Sequence, residues 1–285
     1  MFKGKEKQID ENEVKKSLPH NRKELFFDLL KHRKMDMFYL SSLTFIFFIP
    51  LAVDLLFFNY LEAIATANEN YQDLFSLVFY SMLIMLPCML ILFIGLAGAF
   101  YTAKKMVWQE LIIPAHDFFQ GIKENWKHSL ISGVIFGVIT FGLVVGGTYL
   151  LIYSPMPQVW NGVSIGALVV VFLTLGMVTA LIFTQDVYYS NSYYVTFKNA
   201  FSFMALTNWK VLLIYLLSTG ALVALAALNT ITLIVGIVLF AILNYVVVIL
   251  YTLISHATFD KYINKDNYPE MVNKGLYKQE DVKEA

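Results

Sequence analysis

The sequence predicts an all-α polytopic membrane protein: six transmembrane helices as three hairpins, each preceded by a cytoplasmic interfacial amphipathic helix, with both termini inside. Three observations carry this expectation. The chain of 285 residues is 58% apolar and only 15% charged, whereas about a quarter of the residues in an ordinary soluble domain carry charge. Six apolar stretches have the length of roughly 20 residues that a bilayer crossing needs. Lysine and arginine occur only in alternate connections between those stretches, the asymmetry that marks the cytoplasmic side.

The elements follow in order. Segment 1–21 is charged and predicted to be disordered, and no apolar core follows its charges, so it does not read as a cleaved secretory signal. The first span then serves as an uncleaved anchor. In "NRKELFFDLLKHRKMDMF", Leu25, Phe26, Leu29, Leu30 and Met37 gather on one helical side, with Glu24, Asp28, Lys31 and Lys34 on another. That pattern suits a helix lying in the headgroup boundary.

Spans are expected near 38–58, 74–101, 130–153, 163–184, 211–228 and 231–255. Only Asn229 and Thr230 divide the last two. A single helix of about 45 residues would extend roughly 68 Å, more than twice the hydrocarbon core, so two antiparallel spans are the better reading. The single transmembrane domain is placed at 22–260, in units of about 22–102, 114–185 and 193–258, followed by a polar cytoplasmic tail at 261–285. A docking stretch is expected in that tail around 268–277.

Orientation comes from the basic residues. Ten precede the first span, four lie in 104–127, two are Lys198 and Lys210, and five follow the sixth span; together these are all 21. The other connections, 59–73, 154–162 and 229–230, contain none, and the first carries Glu62, Glu69 and Asp73. Both termini are therefore expected to face the cytoplasm, which requires an even number of crossings. Tyr101, Trp108, Trp126, Tyr188, Tyr189, Tyr193, Tyr194 and Trp209 form the expected inner aromatic belt, and Tyr60, Tyr153 and Trp160 the outer one.

A short pattern recurs on the basic side: "FFDLLK" at 26–31, "FFQGIK" at 118–123 and "YYVTFK" at 193–198. Each copy has two aromatics, three residues and a lysine, and each stands before a pair of spans. The implied unit is an interfacial helix plus a hairpin, used three times. Either the membrane surface or a protein partner would account for the residues Phe118, Lys123, Asn125, Trp126, Lys127, Tyr193, Tyr194, Lys198 and Asn199.

Charges inside the spans are few: Asp54 lies near the outer end of the first and Asp186 just beyond the inner end of the fourth. No chain of acids crosses the membrane, which weakens a proton-coupled pump. Asn244, near the middle of the sixth span, needs amide partners, either an interhelical contact or a ligand. Gly133/Gly137, Gly142/Gly146 and Gly162/Gly166 have the spacing of close helix packing. Pro87 is expected to kink or loosen the second span.

The formal net charge of zero offers no general attraction for nucleic acid. One cysteine, Cys88, excludes an intrachain disulfide and a cysteine metal cluster. His20, His32, His116, His128 and His256 lack the close pairing of a helical metal site, and no glycine-rich phosphate loop with its lysine is present. No catalytic residue, metal or cofactor is assigned. A membrane enzyme acting on lipid or glycan would need His116, His128, Asp186 and Lys104 or Lys105 to converge at the inner surface, which linear spacing does not decide.

"GLAGAFYTAKKMVWQE" and "DFFQGIKENWKHS", within 95–129, resemble the YesL-like family of bacterial integral membrane proteins. A second segment, "QDVYYSNSYYVTFKNAF" at 185–201, is similar to a later part of that family's pattern. The likeness covers roughly 95–250, and the N-terminal extension and final tail depart from it. The matching positions are Gly95, Gly98, Tyr101, Phe118, Lys123, Asn125, Trp126, Lys198 and Asn199. What the resemblance implies is a protein linked to carbohydrate uptake, with no settled biochemical activity and no catalytic residue to transfer. The expected function is therefore to assist or form part of a transport assembly. Its partners would be the phospholipid bilayer and an ABC-type transporter or its cytoplasmic subunit. A self-contained small-solute or lipid transporter is the alternative.

Overall fold

The computed structural model describes residues 19–67 and 71–277. Most of the charged N-terminal segment, Glu69 and the end of the tail lie outside the described residues.

Helix α1, Arg22–His32, starts where Asn21 caps it: the Asn21 side chain accepts the Glu24 N–H at 2.9 Å. The Glu24 carboxylate in turn accepts the His20 N–H at 2.8 Å, so first-turn donors that helix geometry leaves open are satisfied locally. Leu25 and Leu29 turn inward. The chain bends at Arg33, and five long helices follow: α2, Lys34–Ala67; α3, Tyr71–Val107; α4, Pro114–Tyr153; α5, Gln158–Tyr188; and α6, Tyr193–Tyr215. A π turn at Leu216–Gly220 leads into α7, Ala221–Leu228, and after Asn229 comes α8, Thr230–Phe259. A second π turn, Asp260–Asn264, and a short α9, Lys265–Asn267, extend its end.

Among the described residues, six helical segments are long and apolar enough to cross a membrane: Lys34–Ala67, Asp73–Val107, Pro114–Tyr153, Gln158–Tyr188, Trp209–Ala226 and Thr230–Asn267. Their outward faces are apolar too, with Ile46, Leu83, Val138, Val170, Leu213 and Ile234 all exposed. Such a surface on every span matches hydrocarbon and not water. The chain is a polytopic, membrane-embedded helical protein.

The break between the fifth and sixth spans is a built cap. Asn229 is extended, its side chain accepts the Thr232 N–H at 3.0 Å, and the Thr232 hydroxyl accepts the Asn229 N–H at 3.1 Å, a reciprocal capping box. Gly236 of α8 packs against Leu222 and Leu225 of α7, so the chain folds back. Helix α8 runs against α2 in the opposite sense. Thr230 bonds to Asn59 at 2.6 Å and Asn244 to the Ser41 carbonyl at 3.1 Å, and Arg22 meets His256 at 2.8 Å. Pro19 and Tyr277 therefore meet at one end, with the Tyr277 N–H donating to the Pro19 carbonyl at 3.0 Å.

The structure differs from the sequence expectation at three places. The second and third aromatic–lysine copies are not separate interfacial helices; they are the first turns of the continuous α4 and α6. No proline interrupts either after its start, and α4's Gly121 is held against Tyr101. Second, the last helix runs on past 260 into the segment assigned to the polar tail, through Asp260–Asn264 and Lys265–Asn267, with Asn264 buried and bonded to Asp260. Third, of the small-residue pairs only Gly133 and Gly137 are packing sites, against Leu90 and Leu86 of α3. Around Gly142, Gly146, Gly162 and Gly166 a side chain would meet none of the described residues within 4 Å. Pro87 sits inside an unbroken α3, as Pro50 does in α2.

This contrast supports a test. At Gly98 a new Cβ would stand 2.6 Å from the Phe118 carbonyl oxygen, a backbone atom that cannot rotate away. Gly98→Val is expected to destabilise by about 1–3 kcal/mol or more through overpacking, and Gly166→Val to be near neutral. Equal melting temperatures for the two variants in detergent would contradict the packing.

Candidate functional site

The basic end of the bundle holds two adjoining polar constructions, and the first is a closed knot of charge. Residues His256, Asp260 and Asn264 follow one another at a spacing of four along the end of the last helix, so their side chains share one face. Arg22 from α1 reaches across to them. Its guanidinium pairs with the Asp260 carboxylate and donates to His256 Nδ1 at 2.8 Å. With Nδ1 accepting, the ring proton lies on Nε2, directed at Asp260 Oδ1 at 3.4 Å. Trp108 Nε1, also 3.4 Å from Nε2, is then a close contact and not a second hydrogen bond. Burial lowers the Arg22 pKa from its ordinary value, and the neighbouring Asp260 carboxylate acts in the opposite direction.

Asp260 is satisfied on both oxygens. Oδ1 accepts from Asn264 Nδ2 at 2.7 Å and Oδ2 from the Asn273 N–H at 3.0 Å. The Asn264 side-chain Oδ1 accepts the Tyr189 hydroxyl at 2.6 Å, and burial raises the pKa of that phenol. Tyr188 stacks on the His256 ring with centroids 4.9 Å apart, and its own hydroxyl is buried without a hydrogen-bond partner among the described residues.

The chain after α9 straps this knot. Asn273 and Gly275 take positive φ values of 56° and 87°, and Gly275 lies directly on the Val107 carbonyl at the end of α3. Lys274 then sits 3.6 Å over the Trp108 ring and pairs with Glu110 at 2.9 Å. The docking stretch expected at 268–277 thus docks on its own chain, with Tyr268 packed on Tyr189.

Beside the knot lies the second construction, a polar cleft of ≈ 590 Å³ between the end of α3, the first turns of α4 and the α5–α6 connection. Tyr101 and Lys104 form one wall, Asn125, Lys127 and His128 another, and Ser190 and Asn191 the rim. His128 Nδ1 is 2.9 Å from Asp186 Oδ1. Lys104 Nζ donates to the Val187 carbonyl at 2.7 Å, capping the end of α5, and lies 4.7 Å from the Trp108 ring centroid. The structure thus brings Lys104, His128 and Asp186 together, but leaves Lys105 and His116 around Asp117, at 2.9 and 3.3 Å. Among the described residues, no group of three or more His, Cys, Asp or Glu could hold a metal ion.

Comparison with protein-family models, curated proteins and solved structures returns no match. The arrangement of side chains therefore carries the functional argument.

The residues singled out from the sequence divide by depth. Phe118 is wholly buried, against Phe47 and beneath Gly98, so it cannot face a partner. Its position on the inward face of α4 is the reason. Tyr193 is half-buried, bonded to Ser132 at 3.1 Å and edge-on to His128. Asn125 donates to the Gly121 carbonyl at 3.0 Å and, with Lys127, lines the cleft. Trp126, Lys123, Tyr194 and Lys198 are exposed, and Asn199 is half-buried. Asn244 lies in the span, donating to the carbonyls of Ser41 and Phe240 at 3.1 and 2.9 Å.

In all three repeat copies the first aromatic, Phe26, Phe118 or Tyr193, packs into the core. The second, Phe27, Phe119 or Tyr194, is 57%, 54% or 75% exposed. Lys31, Lys123 and Lys198 follow these outer aromatics by four residues and are exposed as well. Each copy therefore shows an aromatic and a lysine on one outward helix face. The sequence pattern does not single out the Arg22–His256–Asp260 knot. The fourfold spacing of His256, Asp260 and Asn264 was its visible signal, whereas Arg22 stands 234 positions from His256.

Proposed function

We propose that this chain is a YesL-like membrane protein of the cell membrane, with its basic end and both termini in the cytoplasm and its spans forming three hairpins. Its role is to assist or form part of a transport assembly, with carbohydrate uptake as the process. The single observation that carries this reading is the threefold outward aromatic–lysine pair at the basic end. Three such pairs offer a partner subunit apolar area with fixed charge beside it, and the same residue types suit the bilayer boundary. The partner is an ABC-type transporter or its cytoplasmic subunit. Crosslinking in the native membrane, followed by purification in mild detergent, tests the idea. Recovery of the protein alone, together with unchanged sugar uptake in a deletion strain, would remove it.

One observation favours a second reading, a self-contained transporter of a small solute or lipid: Asn244 Oδ1 is buried within the span and has no hydrogen-bond partner among the described residues. A solute donor would satisfy it. Asn244→Leu removes two hydrogen bonds to helix carbonyls, for which about 0.6–2 kcal/mol is expected. If transport by the reconstituted protein falls far more than its thermal stability does, Asn244 contacts solute; parallel losses assign it to helix packing.

A further inference from the structure

We infer that the cleft between α3, α4 and the α5–α6 connection binds a phosphate-bearing ligand, held between the ammonium groups of Lys104 and Lys127. The inference deepens the reading above, because it rests on the basic end lying at the membrane boundary.

The argument begins with charge. Lys104, Lys127, Glu124 and Asp186 all line the cleft, so its formal charge balances, but the two signs are not equally free. Asp186 is almost fully enclosed and held by His128 at 2.9 Å. Glu124 accepts from the Gln120 amide at 2.8 Å. The lysines have no such partners: among the described residues, neither ammonium is in an ion pair with a carboxylate. Glu110 and Glu124 act on Lys104 only from a distance, and Glu110 is itself paired with Lys274.

Lys104 is the more telling of the two. It is half-buried among the Tyr101, Trp108 and Tyr188 rings, and one of its three N–H groups goes to the Val187 carbonyl. Burying a cation without a carboxylate in direct contact is costly, and ring faces and one carbonyl offset only part of that cost. An anion in the cleft would offset the rest. Lys127 comes from the opposite wall, near Trp126, and supplies a second ammonium on an exposed, adjustable stem.

The rest of the lining suits an oxyanion with several acceptors. Ser190, Asn191 and Asn125 offer hydroxyl and amide groups around the rim. A phosphate presents three or four oxygens to such donors, and charge-assisted bonds of this kind are the strong ones. The volume of ≈ 590 Å³ exceeds that of phosphate alone, which leaves room for an ester group. Two sources present this chemistry at this depth: the headgroup of an anionic phospholipid and a soluble phosphomonoester.

The test uses the full-length protein purified in detergent, delipidated and supplied with dioleoyl phosphatidylglycerol or dioleoyl phosphatidylcholine, with lipid retention read by native mass spectrometry. Wild type is expected to retain the anionic phosphatidylglycerol in preference to the zwitterionic phosphatidylcholine. The Lys104→Gln/Lys127→Gln variant is expected to lose that preference by on the order of tenfold, the equivalent of one lost charge-assisted contact or more. Lys210→Gln, at the basic end but outside the cleft, is the control and should behave as wild type. Lys127→Gln alone, at an exposed position, keeps the test decisive if Lys104 proves necessary for folding, and should lower retention by a smaller factor.

A parallel arm adds inorganic phosphate or glycerol 3-phosphate. Displacement of the retained lipid identifies phosphate itself as the recognised group, and soluble esters as ligands. Persistence of a lysine-dependent lipid preference shows that the ligand is the lipid. Equal retention of both lipids by wild type, combined with no saturable binding of the soluble phosphates, would overturn the inference; so would an unchanged preference in both lysine variants. Saturable, lysine-dependent phosphate binding without any lipid preference would keep the site and remove only the membrane-boundary placement on which this reading rests.

Discussion

Asp260→Ala is expected to be the most damaging single substitution at the basic end, lowering stability by about 3–5 kcal/mol. The side chain removed is the counter-ion of Arg22 and the acceptor for Asn264 Nδ2 and the Asn273 N–H. The Arg22 and Asp260 side chains are only 17% and 10% exposed, so solvent does little to compensate for a lost partner. What remains is a buried guanidinium against His256, with three orphaned donors nearby: Asn264 Nδ2, the Asn273 N–H and His256 Nε2–H. The sign of the double variant distinguishes this account from simple loss of packing. Replacing both members, Arg22→Met with Asp260→Leu, removes the unpaired charge and is expected to cost clearly less than Asp260→Ala alone. Thermal unfolding in detergent reads both. Additive losses would show that the pair is not coupled.

Gly275→Val is expected to release the strap without unfolding the bundle. Its φ of 87° is one that β-branched residues avoid, and a Cβ there would run into the Val107 carbonyl. Strain alone contributes on the order of 1–3 kcal/mol, and the backbone collision adds to it. The strap is held locally by Asn273, Lys274 and Tyr277, contacts worth about 1 kcal/mol each, so the strained side chain outweighs them. Hydrogen exchange is expected to show lost protection at 271–277 and unchanged protection in α2, α3 and α8. Protection of 271–277 equal to that of wild type would mean that the strap tolerates the side chain by shifting. Gly275→Ala meets the same carbonyl with its Cβ and should show a similar but smaller effect.

The spans are the part of the fold that is legible from residue order, because a crossing is a local property. Twenty apolar residues between polar ends specify a helix through hydrocarbon whichever neighbours it finds. The separation at Asn229 was readable for the same reason: a long apolar run needs a return, and Asn-Thr-x-Thr supplies a capping box to make one. The aromatic–lysine repeat was readable as a pattern but not in its orientation. Residue spacing puts Phe119 and Lys123 on one face, yet only the position of α3 beside α4 decides that Phe118 is the member turned into the core. The glycine pairs make the same point. All three have the spacing of packing motifs, but Gly133 and Gly137 meet a neighbour, while the pairs at Gly142 and Gly162 face outward.

The candidate sites were less legible because they are assembled from distant segments. Asn125, Lys127 and His128 stand close together in sequence, and His256, Asp260 and Asn264 mark one helix face. Nothing in residue order joins Lys104 to Lys127 across a cleft, or Arg22 to Asp260. Apolar length and helix caps act over a turn or over the thickness of a bilayer, so the sequence alone determined six membrane-crossing helices and a concentration of basic residues in alternate connections. Pairing of buried charges and the turning of one aromatic inward and the next outward depend on which helix stands alongside, and only the tertiary structure decided those.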